Sequence, residues 1–255
     1  MTSHEPAHVT RRSASEVEIR RLPHRNVQIL TTPEDGSGPL SVVIARFAPG
    51  LAQGHVHWPG GEALYVVRGK GRLRVEGLPF PLEPGIGAFT PPCIEHHVEN
   101  DLDTDMVLVG AFCPAAIPGS YPDFPPRLEP TGKFASVDHM YRRADPAARV
   151  ALGRPSIQAV VEDRGLSPHT SLRLVRLAPQ DAMSREVVPF TRAWLVLEGT
   201  ADLLSPRADG GALQPWTVVV APPGIRLAAQ AHDAVLALLE VDAHLNPGKM
   251  RTEPC

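Results

Sequence analysis

The chain has 255 residues, with 28 acidic and 25 basic side chains, a net charge of -3 and a pI near 6.4. That balance gives no electrostatic footing for nucleic acid or for an anionic membrane surface. At 43% hydrophobic and 21% charged, it has the composition of a soluble globular protein, long enough for one large all-β domain or two smaller ones.

Proline, at 28 residues, is used about twice as often as average, which disfavours long helices and suits short strands joined by turns. Residues 1–27 read as a polar arm. Arg11-Arg12 is not followed by the apolar core of a signal peptide, and no run is long enough to span a bilayer. Cys93, Cys113 and Cys255 form an odd set without a CxxC, which fits a reducing compartment, so the expected location is the cytoplasm.

From Gln28 onward, short apolar runs alternate with Gly, Pro, Asp and Asn. SVVIARF (41–47), EALYVVR (62–68), GRLRVEG (71–77) and DMVLVGAF (105–112) read as strands. Between the first two lies GHVHWPGGE. Strand alternation points His55 and His57 the same way, and Glu62 follows the Pro59-Gly60-Gly61 turn. If that turn makes a hairpin, Glu62 returns opposite the imidazoles, and two imidazoles with a carboxylate suit a divalent transition metal. An isolated HxH in a chain with 11 histidines carries little weight, so the case needs a second cluster.

GIGAFTPPCIEHHVEN (85–100) supplies that cluster, with His96 on a later strand and Asn100 four residues beyond it. His97 should face the other side of its strand as a packing or surface residue, and Asn100 should cap a turn. Cys93 reads as a buried small thiol. Residues 114–156 are proline-rich and read as a linker with a short helix at ADPAARVAL (144–152).

The first pattern then returns. RFAPG (46–50) recurs as RLAPQ (176–180), and ALYVVRG (63–69) as AWLVLEG (193–199), both 130 positions on. TPPCI (90–94) recurs as APPGI (221–225), 131 positions on, with a looser echo of DMVLVG (105–110) in DAVLALLE (233–240). Constant spacing of ordered matches indicates duplication of one β unit, placed at 28–113 and 157–255.

Gly50-x4-His55-x-His57-x4-Glu62-x6-Gly69 resembles the first motif of the cupin family, with one residue fewer than usual between Gly50 and His55. Pro91-x4-His96-x3-Asn100 resembles the second motif. The resemblance implies two tandem jelly-roll β-barrels with few short helices. It also implies one metal, held by His55, His57, Glu62 and His96. In the second copy Arg185, Val187, Arg192 and Leu227 occupy the ligand positions, and arginine has no lone pair to donate. That half is therefore expected to be structural, with anion binding by Arg185 and Arg192 as the lesser alternative. The two barrels are expected to pack together within one chain, and a homodimer is compatible with the sequence.

Four protein ligands on a metal that prefers six leave two positions for water, dioxygen or substrate. Fe(II) is favoured, and Mn, Ni, Zn or Co are also compatible. By alternation Gln53 should contact the ligands or substrate, while Leu64, Val66, Met106, Leu108 and Phe112 make the pocket wall apolar. Arg72 and Arg74 belong on the solvated face. The expected function is a metal-dependent enzyme acting on a small aromatic or polyketide-like molecule, foremost a non-haem dioxygenase. The alternatives are a non-redox isomerase, cyclase, decarboxylase or amidohydrolase, and a non-catalytic ligand-binding or regulatory protein.

Overall fold

A computed structural model describes residues 8–115, 123–162, 169–205 and 211–245. Strands dominate, and the helices among these residues are three 3-10 turns of three residues each, at Ala14–Glu16, Pro33–Asp35 and Asp138–Met140. None is long and apolar enough to cross a membrane. The strands form four sheets, two in each half.

In the first half, a seven-stranded sheet runs in the order Tyr141–Arg143, Ile86–Thr90, Glu62–Arg68, Met106–Phe112, Ser41–Phe47, Arg25–Thr31 and Arg20–Leu22. Facing it is a four-stranded sheet of Gly50–Leu51, His96–Asn100, Gly71–Val75 and Leu78–Leu82. Gly71–Val75 alternates buried and half-buried positions, as a strand with one wet face should. Its turn into Leu78–Leu82 holds Glu76 at φ 50° and Gly77 at φ 84°, two left-handed residues in the manner of a type I′ hairpin. The second half repeats the plan with six-stranded and four-stranded sheets.

Met106–Phe112 is buried at every position, because each parity of the strand meets a different core. Met106 and Leu108 pack inside the first barrel with Leu64, Val66, Leu73 and Phe80. Val107, Val109 and Ala111 instead join Tyr65, Val42 and Ile44 in a core shared with Leu172, Leu195, Val220 and Leu239 of the second half. The large sheets of the two halves thus lie back to back, and the expected packing of two barrels within one chain is seen. A third core, around Trp194, Val196 and Leu238, fills the second barrel.

Two expectations require correction. The stretch read as a polar arm contributes strands. Thr10–Ser13 pairs antiparallel with Thr217–Ala221 of the second half, while Arg20–Leu22 and Arg25–Thr31 extend the first half's large sheet. The linker helix at 144–152 does not form. Pro146 restricts the segment, which is too short to nucleate a helix unaided, and the Ala144 N–H donates to Gly85 O at 2.9 Å instead. The linker contributes a strand, Tyr141–Arg143, which pairs with the first half, and it leads into Ser156–Val161, which pairs with Thr170–Leu177.

Candidate metal centre

The four predicted ligands converge between the two sheets of the first barrel. His55 forms an isolated antiparallel bridge with His96, each backbone N–H donating to the other's carbonyl at 3.0 Å. Glu62 arrives from the opposite sheet, paired with Phe112 on one side and Thr90 on the other. The expected hairpin across Pro59-Gly60-Gly61 is therefore not what brings the groups together; closure of the barrel does.

One candidate ligand atom from each side chain lies within 4.8 Å of every other, and this is the single such cluster among the described residues. The imidazole centroids are 4.4 Å apart for His55–His96 and 5.0 Å for both other pairs. Glu62 Oε2 stands 3.5 Å from His57 Nε2 and 3.3 Å from His96 Nε2. His55, His57 and His96 are all more than nine-tenths buried.

His57 Nε2 and His96 Nε2 are buried without a hydrogen-bond partner, which would be costly for neutral imidazoles with nothing to bind. The other nitrogen of His96 is oriented by Ile94 O at 2.9 Å, and that of His55 by Gln53 O at 3.4 Å, leaving each Nε2 aimed inward. The donor set thus fits a divalent transition metal: nitrogen and carboxylate atoms, converging and otherwise unsatisfied.

The electrostatics agree. Burial lowers the pKa of His55 well below the usual imidazole value, and the neighbouring His96, His57 and Arg25 push it the same way. Burial also lowers that of His57, against the pull of Glu62. For Glu62 burial alone would raise the pKa, but His57 and His96 beside it hold it well below the ordinary carboxylate range. The directions for His55, His57 and Glu62 favour neutral imidazole and ionised carboxylate, the forms that bind metal.

The cavity over the cluster contains about 450 Å³ of space unfilled by atoms, its mouth included. Leu64, Leu108 and Phe112 line it as expected, with Val27, Val43 and Phe47. Phe112 packs edge-on against His57, with centroids 4.7 Å apart. Gln53 does not line it; only its carbonyl oxygen reaches His55.

Two functional features escape the sequence reading. Arg25, 4% exposed, lines the cavity from the region assigned to the arm. Gly110 makes room for the carboxylate: a Cβ there would stand 2.6 Å from Glu62 Oε1. Arg25 has no spacing signal. Gly110 could have been noticed as a glycine inside an otherwise apolar strand.

Arg72 and Arg74 pair with Glu99 on the outer face. Asn100 caps its turn, donating to Phe47 O and Thr104 O and accepting from the Leu102 N–H. His97 is fully buried. Cys93 is half-buried, at φ 62°, and is disulfide-bonded rather than a free buried thiol, so the cysteine count no longer argues for a reducing compartment.

In the second barrel the equivalent positions close on themselves. Arg185 donates from Nε and Nη2 to Glu240 at 2.9 and 3.0 Å, and Arg192 from Nε and Nη2 to Asp242 at 2.6 and 3.0 Å. Arg173 and Trp194 add further donors to these two fully buried carboxylates. The two arginines expected as an anion site are thus already engaged by internal acids.

Residues 43–112 match the family model described as Cupin domain. Over these residues the first barrel is similar to a cupin domain. Beyond that domain the likeness is one of fold. The Mn(II)-containing oxalate decarboxylase of Bacillus subtilis superposes with a TM-score of 0.70 at 17% identity, over 94% of this chain and 78% of that one. Pumpkin seed globulin does so with a TM-score of 0.71 at 11% identity, over 94% and 86%. No curated protein sequence matches the chain significantly. An enzyme and a seed globulin share this cupin jelly-roll architecture, so activity must be argued from the site.

Proposed function

We propose that the protein is a metal-dependent cupin enzyme that transforms a small organic molecule at the His55–His57–Glu62–His96 centre, and that its reaction is an oxygenation. The observation that carries this reading is the cavity's composition. Apart from the four ligand residues and Arg25, every lining side chain is apolar, and Gly110 completes the wall.

Isomerases, cyclases and amidohydrolases move protons, and they ordinarily place a carboxylate, imidazole, lysine or tyrosine beside the reacting atoms. This cavity offers no such group outside the ligand set. Bound Fe(II) would supply dioxygen activation and polarise substrate oxygens. The chain's own part is threefold. Three imidazoles and Glu62 fix the centre, Phe112 and Leu108 exclude bulk water, and the narrow apolar wall selects small ligands.

The test is oxygen uptake by Fe(II)-loaded protein over a panel of catechols, diketones, flavonols and small carboxylic acids. Substrate-dependent uptake with at least one of them is expected. Turnover that continues unchanged without oxygen would overturn the oxygenase reading in favour of non-redox chemistry at the same centre.

A further inference from the structure

The strand Arg25–Thr31 turns alternate side chains into the first barrel, and it begins with a cation where Val27 and Ile29 continue an apolar series. Arg25 is 4% exposed, and its Nη2 donates to Asp123 Oδ1 at 2.8 Å. Its Nη1 is equally buried and has no hydrogen-bond partner in the protein. The same guanidinium lines the cavity shared by His55, His57, Glu62 and His96, amid Val27, Val43 and Phe47.

Structure alone does not call for a cation here. The position borders a hydrophobic cluster of Val27, Ile29, Val43 and Phe112, and an unsatisfied charged N–H is among the costlier things to bury. The ion pair with Asp123 uses only one of the two amino groups and does not account for burying the other. The arrangement makes sense if Nη1 is kept for a ligand's oxygen.

We infer that Arg25 is the substrate-anchoring residue of this site and that the substrate carries a carboxylate, received by Arg25 Nη1. The inference rests on the reading of the cluster as a metal enzyme and names the class of molecule it takes. Three observations favour a carboxylate over other ligands. Asp123 pairs with the other amino group, so what Nη1 lacks is an acceptor, and a carboxylate oxygen is a stronger, charge-assisted acceptor for it than a neutral carbonyl. A phosphate would want several donors, whereas Nη1 is the one cationic group in the lining. The apolar wall suits the hydrocarbon remainder of a small organic acid.

The decisive experiment compares each carboxylate with its primary amide, which matches it in size but carries no charge. Aliphatic and aromatic monocarboxylates of two to seven carbons, and the corresponding amides, are titrated calorimetrically into Zn(II)-loaded protein, where no redox turnover competes. Wild type should bind at least one acid about 10- to 100-fold more tightly than its amide, the range for a hydrogen bond to a charged group. Arg25→Gln should erase that preference while retaining one equivalent of metal, and Arg25→Lys should recover part of it. Asp123→Ala, truncating a partly exposed residue, should strengthen acid binding by freeing the second amino group.

Equal affinity for acid and amide in wild type, no binding of any acid, or an undiminished preference in Arg25→Gln would each overturn the inference. Failure of wild type to hold metal would instead overturn the metal-enzyme reading. The acid-to-amide ratio, measured then on the metal-free protein, would still decide the role of Arg25.

Discussion

At the scale of single residues, the site depends on one position with no side chain. Gly110 sits where a methyl group would collide with the Glu62 carboxylate and crowd Phe112. Gly110→Ala should displace Glu62 without unfolding the barrel, weakening metal binding about 10- to 100-fold, the usual effect of disturbing a group that orients a ligand. Competition with a chelating dye measures this directly, and unchanged affinity would mean that Glu62 is not a ligand. The four candidate ligands could be singled out in the sequence because their chemistry is rare and their spacing specific. Arg25 was not, because a lone arginine in a polar N-terminal stretch looks like every other solvated arginine until the strand carrying it is seen to close the barrel. Gln53 failed for a related reason: alternation assumed a regular strand, while Gly54 and His55 make only isolated bridges and residues 56 and 57 belong to no strand.

At the scale of elements, the last strands of the two barrels show how the halves differ at matching positions. Glu240 and Asp242 lie 130 positions beyond Gly110 and Phe112, and Arg185 and Arg192 lie the same distance beyond His55 and Glu62. The charge pattern has been rewritten as a set: basic residues replace ligands on one wall, and acids replace a glycine and a phenylalanine on the other. The arginines were readable from the repeat. Their partners were not, because the repeat there is only loosely matched in sequence.

Arg192→Met would leave Asp242 short of its bidentate partner in a buried site. It should destabilise the protein by about 3–5 kcal/mol in denaturant unfolding, with metal content unchanged. On the strand His96–Asn100, burial pushes the His97 pKa down to about 4, and the nearby Arg74 and His96 add to the effect. Because the folded state holds this imidazole neutral, its contribution is complete above pH 6.5, the ordinary value. It is lost as pH falls from there through 4. The stability of His97→Gln should therefore fall less steeply than that of wild type between pH 6.5 and 4 in denaturation series, and parallel curves would contradict the assignment.

At the scale of the whole molecule, the two barrels are joined by more than a linker. Their large sheets share one hydrophobic core, and Thr10–Ser13 crosses from the start of the chain to complete the edge of the second half's sheet. Deleting residues 1–13 would expose Thr217–Ala221 as an apolar edge strand. The truncated protein should self-associate in sedimentation experiments, and a monodisperse product with unchanged melting would show that the tail is dispensable. The all-β class was legible because it rests on periodicity. The tail crossing was not, since four polar residues carry no signal of the strand they will join.

The central claim is that one chain holds one metal, in its first barrel only, through His55, His57, Glu62 and His96. Elemental analysis of wild type and His96→Ala, purified without added ions and without oxygen, tests it most directly. The account predicts close to one equivalent of a divalent transition metal in wild type and essentially none in a folded His96→Ala. Two equivalents in wild type, or a full equivalent retained by His96→Ala, would contradict it.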